Sequence, residues 1–115
     1  MEYYTVKLTK QAQKQLYENA KYISDTLSNP SAAKRFLNLM EEKIFSLSTM
    51  PHRIKLINEE PWKSEGVRVF IVNHYLVYFW IDQENYRVQV FLIICEKMDQ
   101  LAHLQKWNVF RDVDE

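Results

Sequence analysis

Apolar residues between positions 66 and 95 form three nearly continuous runs separated by two short polar breaks, at 73–74 and 82–85. Runs rich in Val, Ile, Phe, Tyr and Trp that are bounded by polar residues predict an antiparallel three-stranded meander. Because the runs do not alternate between apolar and polar residues, we expect both faces of this sheet to be covered.

The first break predicts the register of the first two strands. Asn73 and His74 both tolerate a positive φ, so a two-residue turn is feasible there. In that register three cross-strand pairs share one face: Val72 with Tyr75, Phe70 with Val77, and Arg68 with Phe79. The second, four-residue break leaves the parity of the last strand open, because a bulge would shift it.

The first half of the chain predicts one strand and two helices. Residues 4–8 alternate as a strand does, and Thr9 follows as a candidate N-cap. Asn29 and Pro30 interrupt the helical pattern and form a strong helix start, since proline lacks an N–H that the first turn would leave unpaired. The apolar stripes of the two helices, about 10–27 and 30–47, contain Ala12, Leu16, Ala20, Ile23 and Leu27, then Ala33, Phe36, Leu37, Met40, Ile44 and Leu47.

The order β-α-α-β-β-β predicts an α+β fold, in which an antiparallel helical hairpin packs on one face of a small, mainly antiparallel sheet. At 115 residues the chain fits a single domain. Its predicted segments are a strand (1–9), the helical hairpin (10–48), a loop (49–65), the meander (66–96) and a C-terminal tail (97–115). The position of the N-terminal strand in the sheet remains open.

A helical hairpin covers only one face, so the other face needs a different cover. We expect the face with Tyr75 to stay open, and a second chain or a partner's segment to bind there. The tail shows a short amphipathic helical pattern. We expect the tail either to take part in the same contact or to lie on the sheet. The predicted partner-binding residues are therefore Phe70, Val72, Val77, Phe79 and Trp107.

Net charge, cysteine and histidine content and the length of the apolar runs argue against several classes of function. The formal net charge is zero, which argues against indiscriminate nucleic-acid binding. The lone Cys95 excludes an internal disulfide and is expected to be a small buried residue. The three histidines lack the spacing of metal ligands, so we predict no metal and no cofactor. No apolar run approaches a membrane span and the N-terminus lacks a signal-peptide core, so we expect a cytoplasmic protein.

The chain resembles the RelE/ParE family of toxins from type II toxin–antitoxin systems. The resemblance covers residues 3–104 and depends on four segments in order: YISDTLSNPSAAKRFL, EEKIFSLSTMP, GVRVFIVNHYLVYF and VQVFLIICEKMD. It implies a growth-inhibiting protein that a cognate antitoxin neutralises by wrapping it, which agrees with the expected open face. A homodimer or a toxin–antitoxin hetero-oligomer is the expected assembly.

Within that family, the RNA-cutting members resemble one another in a set of basic residues on the sheet. Cleavage through the 2′-hydroxyl needs a base, an acid and a cation that stabilises the phosphorane. Arg68 keeps one of these basic positions, and Lys97 is also basic. Tyr75, however, stands where those members carry Arg, and Met98 stands where they carry Arg or His. Leu104 lies near the position of a tyrosine in some of them.

This departure favours the ParE-like branch, which resembles the chain in its long helical hairpin and acts by binding DNA gyrase. The alternative is a ribosome-dependent mRNA endoribonuclease, with Arg68 and Lys97 on the phosphate. Tyr75, His74, His52 or His103 would then be the acid or base. A third possibility is a toxin-like module that binds its partner without activity. Within an apolar strand Arg68 is equally compatible with a structural ion pair.

Overall fold

Two helices pack on one face of a four-stranded sheet in the computed structural model, which describes residues 2–96. The predicted tail, with Lys97, His103 and Trp107, lies outside the described residues. The strands and helices are β1 (Thr5–Leu8), α1 (Lys10–Lys21), α2 (Pro30–Phe45), β2 (Arg68–Val72), β3 (Tyr75–Asp82) and β4 (Arg87–Cys95). The predicted α+β class and element order are confirmed.

The sheet has the strand order β1-β4-β3-β2. β1 pairs in parallel with β4, and the other two pairs are antiparallel. This arrangement settles the position of the N-terminal strand, which the sequence left open. β4 is therefore a central strand, while β1 and β2 form the two edges.

Both helix starts follow the predicted capping chemistry. Thr9 Oγ1 accepts a hydrogen bond from the Ala12 N–H at 3.1 Å, and Asn29 Oδ1 accepts one from the Ala32 N–H at 3.1 Å. Pro30 is the first residue of α2. Beyond α1 the chain continues as a π-helical turn, Tyr22–Thr26. The chain is therefore helical over nearly all of the predicted range 10–27, but the last turn is π-helical instead of α-helical.

The predicted register of the first hairpin is confirmed, with Val72 opposite Tyr75 and Arg68 opposite Phe79. A bulge does occur, but within the last strand rather than in the turn before it. Tyr78 pairs with Leu92 and Phe79 with Val90, which leaves Phe91 as the extra residue. Phe91 and Leu92 consequently both belong to the apolar cluster on the face away from the helices.

The prediction of which face stays open is wrong. Val72, Val77 and Phe79 are at most 4% exposed, and they pack in one core with Leu16 of α1 and Met40 of α2. Phe70 and Tyr75 pack half-buried against the same core. The register was correct, but both faces of the hairpin are apolar, so the pattern contained no signal for the face that meets the helices. These side chains therefore do not form an uncovered partner-binding face.

The opposite face is covered by the segment predicted as a loop. Ile57, Trp62 and Val67 lie in a second apolar cluster with Tyr78 and Leu92. The Ile57 N–H donates to the Val67 carbonyl at 3.0 Å, and the Val67 N–H donates to the Trp62 carbonyl at 3.0 Å. The segment thus closes on itself while its side chains cover the sheet. Within residues 2–96, no helix has the length and apolar character needed to cross a membrane.

A side chain from α1 satisfies a strand amide next to the bulge. Gln15 Oε1 accepts a hydrogen bond from the Ile93 N–H at 2.8 Å in a partly buried setting. An extra residue disrupts the ladder locally, and a buried N–H without a partner is costly. Gln15 therefore couples helix α1 to the bulged part of β4.

Replacing Gln15 by Ala should lower the free energy of unfolding by about 1–3 kcal/mol, because the Ile93 N–H would lose its acceptor. Urea denaturation measures the change. The matched control is Gln13→Ala, which removes only an exposed bond from the Gln13 amide to the Leu8 carbonyl and should cost much less. Equal losses in the two variants would contradict a special role for Gln15.

The turn between β3 and β4 is organised by one carboxylate. Asp82 Oδ2 accepts from Asn85 Nδ2 at 2.8 Å and from Arg87 Nη2 at 3.2 Å, and Asp82 Oδ1 accepts from the Asn85 N–H at 3.3 Å. The hydrogen bond from the Asn85 side chain is the main cause of a lowered Asp82 pKa, with further help from the Asn85 backbone and Arg87. The folded state therefore favours the ionised form.

A group with a depressed folded pKa stabilises the protein above its unfolded pKa, and this contribution is lost as the pH falls through the folded value. Asp82→Asn should therefore be less stable than wild type at neutral pH, and the difference should begin to shrink as the pH falls below the ordinary value of 3.8 and vanish below the lowered folded pKa. Urea midpoints at neutral pH and at about pH 3 test this. Glu84→Gln, in the same turn, is the control. A difference that persists at low pH would exclude the carboxylate charge as its cause.

Candidate functional site

Arg68, a predicted site residue, is held by backbone carbonyls of the segment that follows α2. It is the first residue of β2, and its Nη1 donates to the Ile54 carbonyl at 2.5 Å and to the His52 carbonyl at 3.4 Å. Partial burial lowers the pKa of its guanidinium. Among residues 2–96, no carboxylate lies within ion-pair distance of Arg68. The Arg68 guanidinium instead donates hydrogen bonds to backbone carbonyl groups, and in this way the side chain anchors the segment that follows α2.

Tyr75 lies at the other end of the hairpin. Its ring packs on Phe36 of α2, with 4.7 Å between ring centroids. Burial raises the pKa of its phenol, and the neighbouring Cys95 and Tyr22 raise it further. Tyr75 is therefore a neutral phenol that could donate a proton or a hydrogen bond. Cys95 is half-buried, less enclosed than the sequence predicted.

The structure does not bring Arg68 and Tyr75 together. Tyr75 pairs with Val72, four residues along β2 from Arg68, which corresponds to about 13 Å at the usual strand rise. Lys97 lies outside the described residues. The described part of the chain therefore does not assemble the acid, base and cation that phosphodiester cleavage requires.

Sequence reasoning missed a contact at the Tyr75 end of the sheet. His74 Nδ1 lies 2.9 Å from Glu96 Oε1, and the side chains are 80% and 44% exposed. The Glu96 N–H also donates to the His74 carbonyl at 2.8 Å. Knowing the position of the bulge would have placed these residues side by side, because Tyr75 pairs with Cys95.

His52 has a different environment. Its ring approaches Tyr4 edge-on, with 6.1 Å between ring centroids, and its carbonyl is the second acceptor for Arg68. We find no further catalytic partner for His52 in the part of the chain that the structure describes. Nor do residues 2–96 contain a group of His, Cys, Asp or Glu side chains able to hold a metal ion.

A cleft of about 720 Å³ lies between residues 53–59 and the strands β2 and β3. Ile71, on the edge strand, is 62% exposed at this cleft. Tyr78 is buried in its wall, where burial and the Glu59 carboxylate raise the pKa of its phenol to about 12. The lining combines apolar and charged side chains: Arg53, Ile54, Lys55, Leu56, Ile57, Asn58, Glu59, Val69, Phe70, Ile71, Leu76, Tyr78 and Glu96. Such a surface is suited to binding a protein segment.

Solved structures of similar fold come from toxin–antitoxin systems. One is a chain of the RelBE2 toxin–antitoxin complex from Mycobacterium tuberculosis, with 24% identity and a TM-score of 0.63 over 83% of this chain and 93% of that one. Another belongs to the chromosomal ParDE system from P. aeruginosa, with 18% identity and a TM-score of 0.67 over 80% and 95%. These similarities establish the fold.

No curated protein matches the chain. A family model does match, and it covers most of the sequence. The model describes the ParE toxin of the type II toxin–antitoxin system, parDE, and it matches residues 6–100. The chain therefore belongs to the ParE toxin family of type II toxin–antitoxin systems.

Proposed function

We propose that this toxin inhibits growth by binding an essential protein target, with DNA gyrase as that target, rather than by cutting RNA. The observation that supports this proposal is the engagement of Arg68 by the carbonyls of Ile54 and His52. A cation that stabilises a phosphorane must be directed at the reacting phosphate. Arg68 is directed at the protein's own backbone, about 13 Å along the strand from the Tyr75 position.

One observation favours the alternative of ribosome-dependent mRNA cleavage. The His74–Glu96 pair is exposed and adjoins Tyr75, and a carboxylate that orients a histidine is a common feature of general bases. This pair would act with Tyr75 and with Lys97, the basic residue that follows Glu96 in sequence. Arg68 would then have to release the carbonyls to reach a phosphate.

We further propose that a cognate antitoxin neutralises the toxin by binding the cleft between residues 53–59 and β2. Ile71 offers an exposed apolar side chain there, and Lys55 and Glu96 supply charge of both signs around it. Exposed apolar surface bordered by polar residues is typical of protein interaction sites. Two solved structures of similar fold come from the RelBE2 complex and the ParDE system, which supports a protein partner.

Expression of the chain alone in bacteria that carry a DNA-damage reporter tests the target. We expect growth arrest with the reporter switched on, because poisoning of gyrase leaves DNA breaks. Arrest with the reporter off would contradict the gyrase proposal and favour RNA cleavage. Absence of arrest at verified expression would favour a binding module without activity.

An Arg68→Gln variant makes the same assay more specific. Glutamine keeps an N–H donor for the loop carbonyls but removes the charge, so this variant should still arrest growth if the toxin acts by binding. Lys63→Gln, at an exposed position of the covering segment, is the control. Loss of arrest in Arg68→Gln alone, with an unchanged melting temperature, would indicate a catalytic cation.

Ile71→Glu tests the position of the antitoxin. A carboxylate placed in an apolar contact should weaken antitoxin binding by at least about thirtyfold, the effect typical of a central interface residue. Co-purification followed by calorimetry measures the loss. The control is Phe45→Glu, which changes an apolar residue that is 71% exposed and lies outside the cleft. Equal affinity of the two variants would exclude the cleft as the main contact.

A further inference from the structure

A second, smaller pocket lies at the opposite edge of the sheet, where β1, α1 and β4 meet. Its volume is about 240 Å³, enough for several water-sized groups. Three cations are among its lining residues, and no carboxylate of the described chain is. The lining consists of Lys7, Leu8, Thr9, Lys10, Arg87 and Gln89.

The fold itself brings these cations together. Lys7 pairs with Gln89 in the parallel register of β1 and β4, and Arg87 lies two residues before Gln89. Side chains alternate along a strand, and Val6 packs on the helix side, so Lys7 and Arg87 share the other face. Lys10 joins them as the first residue of α1.

Two donors at this pocket are incompletely satisfied. Arg87 Nε is buried without a hydrogen-bond partner, although Arg87 Nη2 contacts Asp82 at 3.2 Å. Gln89 is only 7% exposed, and the one hydrogen bond that its side chain makes within residues 2–96 is a long one, 3.5 Å from Nε2 to the Lys7 carbonyl. Buried donors normally have acceptors. An acceptor group in the pocket would give the Gln89 amide a closer partner, whereas Arg87 Nε is closed off from solvent and lies out of its reach.

The charge balance points to an anionic acceptor. Asp82 offsets part of the Arg87 charge, but among residues 2–96 no carboxylate lies within ion-pair distance of Lys7 or Lys10. Like charges gathered in one place repel one another, and an anion between them relieves the repulsion while accepting charge-assisted hydrogen bonds.

We propose that this pocket binds a phosphate group, held by Lys7, Lys10 and Arg87. The group has two possible sources, free phosphate or the backbone of a nucleic acid, and both present the same anionic oxygens. The site shares no lining residue with the cleft beside β2.

An NMR titration of the ¹⁵N-labelled chain with sodium phosphate, at constant ionic strength maintained with sodium chloride, tests the proposal. We expect saturable shifts of the backbone amides of Lys10 and Arg87 and of the Gln89 side-chain amide. A second titration with a short DNA duplex at equal phosphate concentration distinguishes the sources. Tighter binding of the duplex identifies a nucleic-acid backbone, and equal or weaker binding identifies free phosphate.

The Lys7→Gln/Lys10→Gln double variant should weaken phosphate binding by at least about tenfold, because two charged donors are lost. The control removes the same charge from α1 outside the pocket, as Lys14→Gln/Lys21→Gln. All four lysines are exposed, so both variants should fold, which circular dichroism verifies. Shifts that do not saturate, or equal weakening in the two double variants, would overturn the proposal.

Discussion

The bulge at Phe91 is the constraint on which the two-sided packing of this protein depends. β4 is central, paired with β1 on one side and β3 on the other, and it needs apolar side chains toward both layers. The bulge turns Phe91 and Leu92 together toward the covering segment, while Val90 and Ile93 face the helices. A strand without the bulge would reverse the faces of all residues beyond it.

The same arrangement explains the position of Arg68. β2 is an edge strand, and edge strands are commonly protected by a loop or another covering element. Leu56 forms a β-bridge with Arg68 here, and the Val69 N–H reaches the Lys55 carbonyl at 3.4 Å. The chain between His52 and Leu56 therefore runs close enough for the guanidinium to bind the carbonyl groups of His52 and Ile54. An arginine in this position holds the cover of the edge in place, which is why its charge is not free for a ligand.

Features that depend on neighbouring residues were predicted from the sequence, whereas features that depend on contacts between distant parts of the chain were not. The caps at Thr9 and Asn29 and the turn at 73–74 depend on neighbouring residues, and each is as expected. The face that meets the helices depends on how β4 pairs with β1, some 80 residues away in sequence. Because the two faces of the hairpin are equally apolar, the sequence does not indicate which face meets the helices. Val77 and Phe79 were therefore predicted on the open face, but they lie on the helix side. The His74–Glu96 contact was missed for a related reason, since the register of β4 depends on the bulge.

The two candidate binding surfaces lie at opposite edges of the sheet, and this separation has a functional consequence. The cleft follows β2 and the cationic pocket follows β1, three strand spacings or about 14 Å apart. A protein segment bound in the cleft would not cover Lys7 or Lys10. The two ligands would also be recognised mainly by different forces, apolar burial at Ile71 and charge at the lysines, so salt would weaken the second more than the first. Occupation of the cleft by an antitoxin is therefore compatible with a phosphate group bound beside β1.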